Sequence, residues 1–217
     1  MRPVDHVLRV FTDADGRFGN FLGIFLDTGD WTDEFCQSRA HDLGFSETVF
    51  VDDIRTGRIR IFTPTVKLGF AGHPTVGAAW LIDHLGHEVH TLECEVGTVY
   101  SVATQLGATV LADPAWSPPI DLTQVASPEV VDSYRPWEGS HEYVWAWIDE
   151  ARGIVRARAF VDEVGIEEDE ATGSAAILLA AHLNRALRIH QGVGSRIDGG
   201  PTHTGKVALS GDVKLDR

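Results

Sequence analysis

Two cysteines, Cys36 and Cys94, cannot staple a chain of 217 residues, so a disulfide framework is excluded. Basic side chains are also scarce, 18 against 32 acidic ones, for a formal net charge of −14. A surface that acidic repels nucleic acid and anionic membrane, although one positive site within it can still hold a small anion. No run approaches the ~18 apolar residues of a membrane span. The opening Met1-Arg2-Pro3-Val4-Asp5-His6 lacks the apolar stretch of a signal peptide. Neither a G-x-S-x-G elbow, a P-loop nor a Rossmann glycine pattern occurs. His87-Glu88-Val89-His90 lacks the i, i+4 spacing of a helical zinc site, so no metal is expected there. With 43% hydrophobic and 23% charged residues, the expectation is a cytoplasmic globular protein of one large or two small domains.

The first half reads as short strands with two helices. Val7 to Phe11, Thr48 to Val51, Arg58 to Thr63 and Leu92 to Val110 alternate as strands. Thr32 to Leu43 is a helix closed by Gly44, with Cys36 facing the core. A second helix opens at Gly72-His73-Pro74 and closes near Gly86, with proline in the first turn where its missing N–H costs nothing. The breaker Asp113-Pro114 to Pro118-Pro119 is the candidate boundary between domains 1–112 and 113–217. Beyond it, Tyr143 to Ile148 and Val155 to Phe160 alternate as strands, with Trp145 and Trp147 on one core-facing side. A helix runs from about Gly173 to Leu187, followed by a glycine-rich stretch and a last strand near Lys206 to Leu209. Without gaps, Arg60-Ile61-Phe62 aligns on Arg158-Ala159-Phe160, Val66 on Val164, Ala78 on Ala176 and Leu81 on Leu179, which favours a duplication.

Two helix starts attract attention: Ala71-Gly72-His73-Pro74-Thr75 and Ala171-Thr172-Gly173-Ser174-Ala175. Each puts small residues where the first backbone N–H groups lack an intrahelical partner, and two such ends across a cleft could hold a carboxylate, phosphate or sulfate. The plain alternative is ordinary capping by Thr172 or Ser174. Glu47 opens a strand among mostly apolar or small neighbours. Buried without a cation it would have a raised pKa suited to acid–base work; on a strand edge it would only face water. Asp169 sits in an acidic cluster before the second of these helices, where it could simply favour the helix N-terminus.

Five segments in order carry a resemblance: Phe18-Gly19-Asn20, Ser46-Glu47-Thr48, Arg60 to Pro64, Phe70 to Thr75, and Glu168 to Ala175. Together with Gln191-Gly192 they resemble the PhzF-like phenazine biosynthesis family, which shares the diaminopimelate epimerase fold. The resemblance implies an α+β fold of two pseudo-symmetric domains, each a curved, mostly antiparallel sheet around a central helix, with the active site between them. It implies isomerisation without a cofactor: a proton moved along a conjugated cyclic acid. Glu47 resembles the proton-shuttling glutamate, His73 and Asp169 its assisting groups, and Ser174 the serine of the second helix start. Asn20, Gly72, Thr172 and Gly173 would bind the substrate, chiefly its carboxylate, and homodimers are expected.

Three departures bear on that expectation. Neither helix start carries the cysteine of the two-thiol epimerases. Glu170 and Phe21 stand where the family places proline. The chain is shorter than typical members, with the deficit expected between about Thr98 and Arg152, so a shortened second domain is anticipated. An alternative reading follows from that shortening: a non-catalytic homologue that binds a small acid or a protein partner.

Overall fold

A computed structural model describes residues 2–161 and 166–216. Among these the chain forms β1 (His6–Thr12), β2 (Asn20–Phe25), α1 (Asp33–Leu43), β3 (Glu47–Asp53), β4 (Arg58–Phe62), β5 (Lys67–Leu68) and α2 (Gly72–His84). There follow β6 (Thr91–Cys94), β7 (Gly97–Ala103), β8 (Gly107–Ala112), β9 (Asp121–Gln124), α3 (Pro128–Ser133) and β10 (His141–Asp149). The last part holds β11 (Ile154–Val161), β12 (Ile166–Asp169), α4 (Gly173–Leu183), β13 (Leu187–Gln191), β14 (Ser195–Pro201) and β15 (Val207–Leu215). The fold is mixed α+β, dominated by strands. No helix among the described residues is long and apolar enough to cross a membrane.

Strands β1-β2-β3-β4-β6-β7-β8-β15 lie side by side, and β15 pairs again with β1, so the ring closes. Inside it runs α2, buried continuously from Gly72 to Ile82. A helix that is apolar all round has no face to give to water, and enclosure by strands satisfies it. Gly77 is required where the helix meets the barrel wall: a Cβ there would fall 2.5 Å from Leu22 Cδ2. On the outside, α1 is capped by Thr32 Oγ1, which accepts from Phe35 N, and closed by Gly44 at φ +67°. Its Cys36 and Ala40 pack with Phe25, Phe50 and Phe62.

From β15 the sheet continues through β14, β13, β11 and β10 to β9, where it ends. Helix α4 packs on β14 and β15, and α3 covers the other side at β10 and β11. Thus β15 is shared: one edge pairs with β8 over Val207–Asp212, and the other pairs first with β14 over Val207–Ser210 and then with β1 over Asp212–Leu215.

The second central helix is shorter than its periodicity suggests. Asn184 takes the left-handed conformation at φ 49° and stops α4, so Leu187 belongs to β13 and is buried there. Within the glycine-rich stretch after it, Ser195–Pro201 forms β14, paired with β13, and the final strand extends to Leu215. The strand ladders of the two halves run in a similar register, but not in the ungapped one. Val49 pairs Ile61, which pairs Leu68; Tyr143 pairs Ala159, which pairs Asp169. Without gaps Gly72 would match Glu170, whereas Gly72 meets Gly173 in space. Val164 lies outside the described residues.

Candidate active site

The two helix starts converge. A Cβ on Gly72 would lie 2.8 Å from Gly173 Cα, and one on Gly173 would lie 2.9 Å from Gly72 Cα and 3.1 Å from His73 N. Such an approach requires glycine on both sides, since the facing atoms are backbone and cannot rotate away. The positive ends of α2 and α4 therefore face one small volume, with first-turn N–H groups that the helices do not use themselves.

On the α2 side, β3 delivers Glu47 and the helix delivers His73. Glu47 Oε2 lies 3.5 Å from His73 Nδ1. Neither Glu47 Oε2 nor His73 Nε2, both shielded from solvent, has a hydrogen-bond partner. Burial raises the Glu47 carboxyl above its ordinary value and nearby Asp169 raises it further, against the opposing pull of His73 and a hydrogen bond from Ser46. Unsatisfied buried polar atoms are rare, and two on neighbouring side chains mark a place for a ligand's polar groups.

On the α4 side, Asp169 ends β12 and is held from both flanks. Its Oδ1 accepts from Asn20 Nδ2 at 2.6 Å and its Oδ2 from Thr172 Oγ1 at 2.6 Å. Asn20 Nδ2 also donates to Ala171 O, so this amide ties β2 to the start of α4. Ser174, half-buried, lies in the first turn of α4. Thr172 is backed by Gln191, whose Oε1 accepts from Thr172 N and whose Nε2 donates to Thr172 Oγ1 and Asp169 O. Tyr143 OH completes the chain by donating to Gln191 Oε1.

Glu47, His73, Asp169, Asn20, Gly72, Thr172, Gly173 and Ser174 thus gather at the meeting of α2 and α4. The support around them is less legible in sequence. Glu170 folds its carboxylate onto a turn: Oε2 accepts from Val193 N, while Oε1 accepts from Gly194 N, Ser195 N and Ser195 Oγ. Ser195 Oγ in turn accepts from Gly19 N. Phe21 stacks on Phe45 under the Arg9 guanidinium. Tyr143 and Ser195 carry no local signal, because their partners lie far along the chain.

A family model described as "Phenazine biosynthesis-like protein" matches residues 8–133. A trans-2,3-dihydro-3-hydroxyanthranilate isomerase from Pseudomonas chlororaphis is 30% identical over 215 residues, covering 80% of this chain and 77% of that protein. Among solved structures, a Bacillus anthracis phenazine biosynthesis protein of the PhzF family superposes with TM-score 0.81 at 18% identity, covering 100% of this chain and 98% of the other. A predicted epimerase from Pseudomonas aeruginosa gives TM-score 0.73 at 25% identity, covering 98% and 96%.

Proposed function

The chain belongs to the phenazine biosynthesis-like (PhzC-PhzF) family and is a PhzF-like isomerase; from that premise we propose that it moves a proton between carbons of a small conjugated cyclic acid, with no cofactor. The observation that carries this reading is the Glu47 carboxyl, buried, raised in pKa and unpartnered at Oε2 beside His73. As carboxylate, Glu47 takes a proton from a ring carbon, and the electron pair shifts through the conjugated system. The same carboxyl then returns the proton to another carbon, so no redox partner is needed. The helix ends stabilise the substrate carboxylate and the negative charge that develops in the transition state. His73 orients Glu47, Asp169 and Ser174 exchange hydrogen bonds with the ring substituents, and Asn20, Gly72, Thr172 and Gly173 shape the carboxylate cradle. A group that must both take and return a proton is served by a carboxyl raised above its ordinary value, which is the direction burial gives Glu47.

The relatives' trans-2,3-dihydro-3-hydroxyanthranilate is the first substrate to try. Wild-type protein in deuterium oxide should place deuterium on carbon, and Glu47→Gln should fold but lose ~10²–10⁴-fold in rate. Equal incorporation by both proteins would overturn the role of Glu47. Homodimerisation belongs to the same reading, because among the described residues the sheet ends at β9 with one edge unpaired, and such edges find partners.

A further inference from the structure

Glu47 has a counterpart in the second half. The matched register of β3-β4-β5 and β10-β11-β12 puts Val49 level with Ile61 and Leu68, and Tyr143 level with Ala159 and Asp169. Val49 and Tyr143 both belong to the central core. Two residues before Val49 is Glu47; two residues before Tyr143 is His141. Side chains alternate along a strand, so His141 shares the inward side of β10 with Tyr143, just as Glu47 shares that of β3 with Val49. Tyr143 OH already reaches Gln191, which holds the start of α4. His141 Nδ1 is shielded from solvent and has no hydrogen-bond partner, the same condition as Glu47 Oε2.

We infer that His141 is a ligand-contacting residue of the second half, donating from Nδ1 to an oxygen substituent of the ring acid on the side of the site opposite Glu47. The inference deepens the isomerase reading and rests on it for the ligand's class. A buried imidazole nitrogen without a partner costs free energy that a bound oxygen would recover. The repeat explains why it lies there: the duplicated strand keeps an inward polar position, filled by a base in one half and an imidazole in the other.

The test uses 3-hydroxyanthranilate as a non-isomerising aromatic probe, with binding measured by calorimetry and the His141 ring followed by NMR. His141→Ala should bind the probe about tenfold or more weakly. His141→Asn, which keeps a polar atom close to the Nδ1 position, should recover most of the loss, while His141→Gln, which reaches instead toward the Nε2 position, should not. A structural role would instead lower thermal stability in step with affinity and would not separate Asn from Gln. Should wild type incorporate deuterium while all three variants bind the probe as wild type does, the inference fails and the isomerase reading stands. Should wild type bind the probe but incorporate no deuterium, with affinity still lost in His141→Ala, the inference stands and the isomerase reading fails. Absence of binding by wild-type protein overturns the inference outright.

Discussion

Glu47 shows what a single residue owes to its surroundings. In a peptide its carboxyl would be ordinary; here burial raises it from a reference value of 4.5 and Asp169 adds to the effect. The folded state therefore holds the proton more tightly than the unfolded chain does. A raised carboxyl makes the fold lose stability as pH climbs from the unfolded value through the folded one, because ionising the buried group is opposed. Glu47→Gln removes that liability. Thermal unfolding of the two proteins should coincide below about pH 4, and the variant should gain on wild type as pH rises. A gap that is constant with pH would mean that Glu47 titrates normally. Glu47 was legible in the sequence as a suspicious carboxylate, but which way it faced was not. A strand residue's environment depends on what packs over it, and here that is α2 with His73, 26 positions further along the chain.

At the scale of elements, the decisive contact is Gly72 against Gly173. Gly173→Ala would drive a methyl group into the backbone of the opposing helix start, at 2.9 Å from Gly72 Cα. The helices must separate, at ~1–3 kcal/mol, and the groups arranged around their ends lose register. Calorimetry should show a lowered unfolding temperature, accompanied by loss of deuterium incorporation. Gly44→Ala is the contrasting case. Nothing lies within 4 Å of its new methyl, yet φ of +67° strains any L side chain, so about 1 kcal/mol of stability should go with activity kept. Local signals located α1, the start of α2 and the start of α4 well, because caps, glycine and proline act over a few residues. They misplaced the end of α4, since Asn184 stops it in the role usually given to glycine. They gave no sign of β13 or of the glycine-bearing β14, which ladder pairing on both sides of β13 decides.

For the molecule as a whole, β15 is the shared member. It closes the barrel onto β8 and β1 and carries the sheet on through β14. Its Leu209 is fully buried and also lies against Gly72. Leu209→Ala should cost ~2–5 kcal/mol, and urea unfolding followed by fluorescence and by circular dichroism should remain one coincident transition, since both sides of the molecule depend on the same strand. Two separate transitions would show that the halves unfold independently. The proposed homodimer is tested at this scale too. Sedimentation at micromolar concentration should give twice the chain mass, and a monomer throughout that range would remove it.

The sequence by itself determined the family, the acidic net charge, and the set of polar and glycine residues at the two helix starts, because ordered motifs and composition are properties of the chain alone. Tertiary structure alone decided how these meet. The closing of β15 onto β1 brings residues from opposite ends of the chain into one ring. The Asn20–Asp169 bond and the Glu170 clamp join segments about 150 and about 25 residues apart. Glu170 is the plainest case. In sequence it is one more acid before a helix; in the fold its carboxylate gathers three backbone N–H groups and a hydroxyl. The physical reason is common to all of these: a hydrogen bond or a desolvated charge is defined by the atoms that surround it, and in this chain those atoms come from strands that only folding makes neighbours.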